Sequence, residues 1–285
     1  MKGLISVIVS TYNKPEYLAL TLRSLRAQTD RGFEVIVADD GSDGRTKSVV
    51  DQESVRLGVP VKFIWQEKKG FRLAAILNRA VEVAAGQYII FLDGDCLAPP
   101  DFVATHRRLA QEGWHVIGQR VLLSRHFTER ILHDQEGGSQ AIPFIKWNLL
   151  HFALRYCRRD VNRLLPFVKL PLTKYRTNSP KSWNRVRGCN WAMWTADYKA
   201  VSGSDEAFEG WGAEDTDLAV RLFNRGIQTK LGMCTSYVLH LWHEPNHVSI
   251  DKERKEALIR ERISSGEYRP VKGLSFGEGG VECGH

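Results

Sequence analysis

Short apolar runs alternate with amphipathic segments through the first half of the chain. The apolar runs, each of which predicts a buried strand, span residues 4–10, 33–38, 61–65 and 88–92. Between them, segments 15–29 and 71–85 have helical spacing, and Leu18, Leu22 and Leu25 share one face of the first. Strands that alternate with helices predict right-handed βαβ units. We therefore expect an α/β fold with a mostly parallel, Rossmann-like sheet flanked by helices.

The second half of the chain has a less regular pattern. Regular spacing is lost from about residue 113 and returns near Arg187, after which residues 213–224 predict a helix that ends at Gly226. The apolar side of this helix is expected to carry Leu218, Leu222 and Phe223. One domain with a C-terminal elaboration fits this pattern better than two independent domains.

Composition is that of an ordinary folded protein. Of the 285 residues, 43% are hydrophobic and 26% are charged. No apolar run approaches the roughly 20 residues that a membrane span needs. The five cysteines are widely spread and include no Cys-x-x-Cys pair, which argues against a disulfide framework or a zinc cluster. We therefore expect a cytoplasmic protein.

One segment concentrates the positive charge of the chain. Between Arg155 and Arg187 lie ten basic residues and a single acid, Asp160, and apolar side chains such as Leu154 and Phe167 lie among or beside them. Such a segment suits an anionic membrane surface. The alternative is an insertion that packs its apolar residues on the core. A nucleic-acid partner is not expected, because no nucleic-acid-binding module surrounds the segment.

Two carboxylates directly follow the last of the four apolar runs. Asp93 and Asp95, separated by Gly94, come after residues 88–92. Ligands of open α/β sheets bind at the carboxyl ends of the strands. Magnesium and manganese ions are usually held there by one or two carboxylates, with phosphate oxygens completing the shell. A divalent-cation site is therefore predicted, and a solvated turn is the alternative.

Two further strand ends carry polar or aromatic groups. Ser10 ends the first strand and Tyr12 comes just after it, and Asp39 and Asp40 follow the second, so all are expected at the same sheet edge as Asp95. Tyr12 can stack on a base, and Asp40 can accept a hydrogen bond from a base N–H. Alternatively, the aspartates cap turns and Tyr12 belongs to the core.

A second acidic centre lies at the start of the last predicted helix. The helix dipole favours ionised carboxylates there, so Asp215, beside Glu214, could act as a general base. Asp217 and Arg221 are four residues apart and predict an ion pair on the helix surface. Trp211, between two glycines, is either a mobile lid that stacks on a sugar or a buried anchor on a tight turn.

Two histidines follow another apolar run. His240 and His243 lie at and beyond the end of Tyr237-Val238-Leu239. Imidazole is a common ligand of transition metals, so either histidine could complete the shell of an ion held by Asp95. A structural role is the alternative for each.

Together these motifs resemble the glycosyltransferases of family 2, which are inverting enzymes with a GT-A nucleotide-binding fold. Within that family the chain is similar to the GalNAc-transferring half of bacterial chondroitin polymerases, and its C-terminal region is similar to β-1,4-galactosyltransferases. The matching stretches are VIVADDGS at 35–42, QEKKGFRLAAILN at 66–78, IIFLDGD at 89–95, GCN at 188–190 and GWGAED at 210–215.

The resemblance implies a role for each group. The residues implied to bind the nucleotide-sugar are Ser10, Tyr12, Asp40, Arg72, Asn78 and Asp93. The residues implied to hold a Mn²⁺ or Mg²⁺ cofactor are Asp95 and His243, with Asp93 and His240 beside them. The catalytic residues would be Asp215 as base and Glu214. The acceptor would contact Glu214, Trp211 and Asn190. The chain departs from the family at Leu77, where relatives carry arginine, and at Cys189, where they carry glycine.

The expected activity is metal-dependent transfer of a hexose or N-acetylhexosamine from a nucleotide-sugar, UDP-linked by resemblance, to a glycan or lipid-linked glycan. Such enzymes build bacterial lipopolysaccharide, capsule or exopolysaccharide at the inner face of the plasma membrane. The alternatives are a sugar nucleotidyltransferase or an inactive carbohydrate-binding module. The expected division is 1–112 for the donor, 113–187 for the basic insertion, 188–250 for the acceptor and catalysis, and 251–285 for a terminal helix and loose tail.

Overall fold

Strands and helices alternate along the computed structural model, which describes residues 1–136, 145–168, 182–244 and 251–274. The strands are β1 (Ile5–Thr11), β2 (Phe33–Asp39), β3 (Val61–Trp65), β4 (Tyr88–Asp93), β5 (Cys96–Leu97), β6 (Trp114–Ile117), β7 (Gln119–Leu122), β8 (Asn190–Trp194), β9 (Gln228–Leu231) and β10 (Tyr237–His240). The helices are α1 (Pro15–Arg26), α2 (Gly44–Leu57), α3 (Leu73–Glu82), α4 (Phe102–Leu109), α5 (Arg125–Glu136), α6 (Leu149–Cys157), α7 (Thr195–Ala200), α8 (Glu214–Asn224) and α9 (Lys252–Ser265).

Seven strands form one mostly parallel sheet in the order β3-β2-β1-β4-β8-β6-β9. The strands β3, β2, β1 and β4 run parallel, whereas β8 is antiparallel to both β4 and β6. Since β6 and β9 pair in parallel, the C-terminal ends of β1, β2, β4, β6 and β9 open on one edge, together with the N-terminal end of β8. The predicted α/β fold is confirmed, and ligands of such sheets bind along this edge.

Helices cover both faces of this sheet, which explains the continuous apolar runs of its central strands. Val7 and Val9 of β1 pack with Leu18 of α1 in one cluster of buried residues. Ile8 points to the opposite face and packs with Ile76 of α3 in a second cluster. Because the side chains of a strand alternate between its two faces, β1 is packed between two apolar layers. This packing fixes the position of Ser10 near its C-terminal end.

A three-stranded sheet in the order β5-β10-β7 lies beside the main one. In it His240 of β10 is paired with Cys96 of β5, one residue after Asp95. The other neighbour of β10 is β7, where Leu122 lies opposite His240. The pairing of β5 with β10 therefore brings the histidines of the C-terminal half to the carboxylates that follow β4.

The segment predicted as a basic insertion, 113–187, is only partly an insertion. It begins with β6 and β7, which belong to the two sheets. Phe152 and Phe167 stack with ring centroids 3.7 Å apart inside a third buried cluster. Leu150 is nevertheless 73% exposed and Leu154 57% exposed. Part of the segment packs on the core and part faces outward, and residues 169–181 lie outside the described structure.

A buried polar network ties α8 to α9. Asp217 and Arg221 are both fully buried and paired at 2.8 Å, so the predicted surface ion pair is wrong. Arg262 of α9 lies 2.7 Å from Asp217 and also pairs with Asp205. Phe223, expected on the apolar side of α8, is 46% exposed. Within the described ranges, no helix is long and apolar enough to cross a membrane.

Candidate active site

Asp93 and its neighbours form a tight connection between β1 and β4. The Ser10 hydroxyl donates to Oδ1 of Asp93 over 3.0 Å, and the Gly94 amide donates to the Ser10 carbonyl over 2.7 Å. A Cβ atom at position 94 would lie 2.9 Å from that carbonyl oxygen, so glycine is required between the aspartates. Burial, followed by the charge of Asp95, raises the pKa of Asp93 to about 7.

Asp95 lies at the centre of a group of nitrogen and oxygen ligands. Its Oδ2 is 3.1 Å from Nε2 of His243, and its Oδ1 is 3.4 Å from Nε2 of His240. The Lys14 ammonium also contacts Oδ2, at 3.1 Å. Burial acts to raise the pKa of Asp95, but the hydrogen bond from His243 and the positive charges around it outweigh burial, so the pKa is well below its usual range.

The geometry of this group fits a divalent ion. Ligand atoms that each lie about 2.1 Å from an octahedral ion are about 3 Å apart, close to the separations between Asp95 and the two imidazoles. The Nδ1–H of His243 donates a hydrogen bond to the Glu244 carbonyl over 2.8 Å, which leaves Nε2 available as a metal ligand. Asp95, His240 and His243 therefore fit the predicted metal site.

The nucleoside side of the edge is built around Asp40. Its carboxylate accepts hydrogen bonds from Gln66 Nε2 at 2.6 Å, from the Arg72 backbone amide at 3.0 Å and from Lys68 Nζ at 3.2 Å. A carboxylate has about four acceptor positions, so one remains for a ligand. The Lys68 ammonium lies 3.5 Å from the ring centre of Tyr12, which is 38% exposed. Tyr12 is therefore not a core residue.

Two asparagines do not reach the site. Asn78 is 1% exposed, and its amide oxygen accepts from the Tyr198 hydroxyl at 2.7 Å and from the Ser204 amide at 2.9 Å. Asn190 is also 1% exposed and bonds His106 at 3.0 Å and the Gln119 carbonyl at 3.1 Å. Neither amide is exposed at the sheet edge, where the donor contact of Asn78 and the acceptor contact of Asn190 were expected. Both amides join core elements.

Glu214 and Asp215 occupy the first turn of α8, beneath the same cavity as Asp93 and Ser10. Burial, then the charge of Asp215, raises the pKa of Glu214 to about 8. Burial also raises the pKa of Asp215, opposed by the Thr216 amide and by the charge of Arg187. Burial therefore acts against the helix dipole, which favours the ionised carboxylate. The two acidic centres therefore line one cavity.

The loop before α8 holds its tryptophan at the surface. Trp211 is 45% exposed, which excludes the buried-anchor interpretation. Gly210, Gly212 and Ala213 all have positive φ, and only the glycines adopt that conformation without strain. Lys255 of α9 donates to the carbonyls of residues 210 and 211 at 3.1 and 3.2 Å. The indole is thus presented beside Glu214 by a loop that α9 supports.

Several charged groups of the site were not predicted from the sequence. Lys14 and Lys68 neutralise Asp95 and Asp40, and Arg120 and Arg187 lower the pKa values of Asp93 and Asp215. Of these four residues, only Lys68 lies in a motif that the sequence analysis identified, the stretch 66–78. Arg120 lies on β7 and Arg187 just before β8. The pairing of β7 with β10, and of β8 with β4 and β6, brings them to the sheet edge.

The fold, the carboxylate-histidine group and the acidic helix start define a GT-A glycosyltransferase. The model of the family described as "Glycosyl transferase family 2" matches residues 6–165, and that of the "N-terminal domain of galactosyltransferase" matches residues 169–244. The chain belongs to glycosyltransferase family 2. This membership favours a glycosyltransferase over the nucleotidyltransferase and inactive-module alternatives.

Related proteins are larger than this chain. It is 31% identical over 255 residues to validoxylamine A glucosyltransferase from Streptomyces hygroscopicus subsp. jinggangensis, a match that covers 86% of this chain and 57% of the relative. Chondroitin synthase from Escherichia coli is 27% identical over 78% of this chain and 32% of its own length. The chain thus spans about half the length of the first relative and a third of the second.

Solved structures share the fold. The mannosyltransferase PcManGT from Pyrobaculum calidifontis, in complex with GDP-Man and Mn²⁺, superposes with a TM-score of 0.56 at 18% identity, over 85% of this chain and 58% of that one. Residues 1–349 of TarS from S. aureus, in complex with UDP-GlcNAc, give a TM-score of 0.58 at 18% identity. This match covers 92% of this chain and 66% of that one. At these identities the likeness shows the GT-A fold.

Proposed function

We propose that this glycosyltransferase is a metal-dependent inverting enzyme that moves a hexose or N-acetylhexosamine from a UDP-sugar to a glycan acceptor. One observation carries the proposal. The group of Asp95, His240 and His243 and the acidic pair Glu214–Asp215 lie at one sheet edge, with Asp93 between them. A transferase of this kind needs one centre for the leaving diphosphate and a second for the attacking hydroxyl.

The donor side accounts for nucleoside and diphosphate binding. Tyr12 offers an exposed ring for a base, and Asp40 retains one acceptor position for a base N–H. Asp95, His240 and His243 would hold Mn²⁺ or Mg²⁺, and the ion's chemistry is to neutralise charge on the leaving diphosphate. Imidazole ligands favour a transition metal over Mg²⁺, which supports Mn²⁺. Relatives of known structure bind Mn²⁺, UDP-GlcNAc or GDP-Man, which supports a nucleotide-sugar donor.

Asp215 is the group we assign as general base. It takes the proton of an acceptor hydroxyl, whose oxygen attacks the anomeric carbon as the bond to the diphosphate breaks on the opposite side, so the configuration inverts. Its pKa is raised by burial, which brings its basicity closer to neutral pH, where proton transfer is most effective. Glu214, whose pKa is about 8, is protonated at neutral pH and can donate a hydrogen bond to the acceptor. Trp211 offers a stacking surface beside it.

Replacement of Asp215 by asparagine tests this assignment. Asp215→Asn removes the proton acceptor without a change of shape, so we expect transfer to fall by about 10²- to 10⁴-fold, the usual contribution of a general base. Binding of UDP with Mn²⁺, measured by calorimetry, is expected to persist. Glu209→Gln, at an exposed acid near the same loop, is the matched control and retains activity. Full transfer by Asp215→Asn contradicts the assignment.

The biological setting is also a proposal. We infer synthesis of bacterial lipopolysaccharide, capsule or exopolysaccharide by a cytoplasmic enzyme at the inner membrane face. Exposed Leu150 and Leu154 beside exposed Arg158 and Arg159 support contact with an anionic surface. The names of relatives, which include chondroitin and hyaluronan synthases, support a polysaccharide product. The first donors to screen for metal-dependent hydrolysis are UDP-galactose, UDP-GalNAc and UDP-GlcNAc.

A further inference from the structure

A cavity of about 410 Å³ next to the acidic pair is lined by four arginines. These are Arg120, Arg163, Arg185 and Arg187. The other lining residues in the described structure are neutral, such as Gly118 and Leu231. None of the roles assigned to the donor, the metal or the base uses this cleft, which we call the arginine cleft.

Sheet topology places the arginine cleft on the side away from the nucleoside. Gly118 and Arg120 come just after β6, Arg187 precedes β8, and Leu231 ends β9. In the strand order, β8, β6 and β9 lie on one side of β4, whereas β1 and β2, which carry Tyr12 and Asp40, lie on the other. All these ends open on the same edge. Asp93 at the end of β4 therefore separates a nucleoside side from a cleft side.

The positive charge of the cleft exceeds what the protein neutralises. Among the described residues, Arg120, Arg163 and Arg185 have no hydrogen bond or ion pair to a carboxylate, and Arg163 and Arg185 are exposed. Two of the arginines act on acids of the neighbouring site: Arg120 lowers the pKa of Asp93, and Arg187 lowers that of Asp215. Both acids belong to the reaction centre. The arginines thus extend outward from that centre into a cleft without acidic side chains.

We propose that the arginine cleft binds a phosphoryl group of the acceptor. Guanidinium groups bind phosphate oxygens in a bidentate fashion, and several arginines match the two or more charges of a phosphate or diphosphate better than the single charge of a carboxylate. The cleft lies on the β8 side of Asp93, away from the nucleoside side, and its Arg187 acts on Asp215, so we assign its ligand to the molecule that supplies the attacking hydroxyl. The inference rests on the proposed function and adds the substrate class: a sugar that carries a phosphate or diphosphate.

A soluble probe tests binding in the cleft directly. With the donor side saturated by UDP and Mg²⁺, calorimetry compares glucose 1-phosphate, glucose and glucuronate. We expect the phosphate to bind at least tenfold more tightly than the other two. Arg163→Ala/Arg185→Ala is expected to abolish that preference, and Arg56→Ala/Arg260→Ala, which removes the same charge from exposed sites outside the cleft, to preserve it. Unchanged UDP affinity verifies that each variant is folded.

Transfer assays identify the source of the phosphoryl group. A hexose, its 1-phosphate and the same hexose on a polyprenyl diphosphate in detergent are compared as acceptors. A preference for either phosphorylated form that Arg163→Ala/Arg185→Ala removes supports the proposal, and the better form identifies a soluble or a lipid-linked acceptor. Equal use of the neutral hexose, tighter binding of glucuronate, or a preference that survives the substitutions overturns it. Absence of UDP-sugar hydrolysis, by contrast, would count against the proposed function, while the glucose 1-phosphate titration still decides the cleft.

Discussion

Asp93 and Asp95 are two positions apart in the chain but lie in opposite electrostatic surroundings. Asp95 is surrounded by Lys14, His240 and His243, which hold its pKa low. Asp93 is buried beside that charge, and its pKa is about 7. At neutral pH Asp95 is therefore the permanently ionised member of the pair, which suits the metal ligand. Asp93, hydrogen-bonded to Ser10, suits a position beside the diphosphate.

Loss of one imidazole tests the metal site. His243→Ala is expected to weaken Mn²⁺ binding in the presence of UDP by more than about tenfold, since even changes outside the first ligand sphere cost about 10- to 100-fold in affinity. Manganese titration followed by electron paramagnetic resonance measures the free ion. His126→Ala, at an exposed histidine of α5, is the control. Equal Mn²⁺ affinity in the His243 variant and the wild type would remove this residue from the ligand set.

Strands and helices were easier to predict from the sequence than the tertiary contacts between them. The strand at 61–65 was predicted with its observed bounds, because apolar runs next to turns depend on local sequence alone. Helix α2 was missed, and the helix predicted over 71–85 spans only Leu73–Glu82. The strand-end carboxylates were found because parallel strands open on one edge. Burial of Asn78 depends on partners over 100 positions away in the sequence, such as Tyr198, which no local pattern reveals.

Helix α9 is tied to α8 through one buried arginine. Arg262→Ala leaves Asp205 and Asp217 buried beside each other without it, so we expect the free energy of unfolding to fall by about 3–5 kcal/mol. Urea denaturation gives the value. Arg260→Ala, on the exposed side of the same helix, is expected to change it by less than about 0.5 kcal/mol. A comparable loss in both variants would show that α9 depends on helix propensity rather than on this network.

At the scale of the molecule, charge and apolar exposure coincide on one surface. The net charge of +7 is unevenly spread, and α6 and the turn after it present exposed leucines beside arginines. The same region borders the arginine cleft, which includes Arg163. If the acceptor is lipid-linked, a single surface both contacts the bilayer and receives the phosphoryl group. Contact with the membrane and acceptor binding are therefore separable only by substitutions that avoid the cleft.

Liposome binding tests the membrane contact. Arg158→Ser/Arg159→Ser should reduce binding to anionic vesicles by about 2 kcal/mol, or about 30-fold, because each basic residue near such a surface contributes about 1 kcal/mol. Arg163 is left intact, since it lines the cleft. Flotation with phosphatidylglycerol vesicles at low and high salt measures the effect, and Arg56→Ser/Arg260→Ser is the charge-matched control. Failure of the wild-type protein to float at low salt would contradict membrane contact.

The tie between α8 and α9 also sets an order of events during synthesis. Strands β1 to β4, which carry Ser10, Asp39 and Asp93 at or near their ends, have all been made once residue 93 has emerged from the ribosome. The ion pair between Asp217 and Arg262 cannot form until Arg262 has been made. The hydrogen bonds from Lys255 to the carbonyls of Gly210 and Trp211 likewise form only after α9 has been translated. A nascent chain can therefore pair these four strands early, whereas His240 and His243 reach Asp95 only later. The turn that presents Glu214 and Asp215 acquires its support only when α9 has been made.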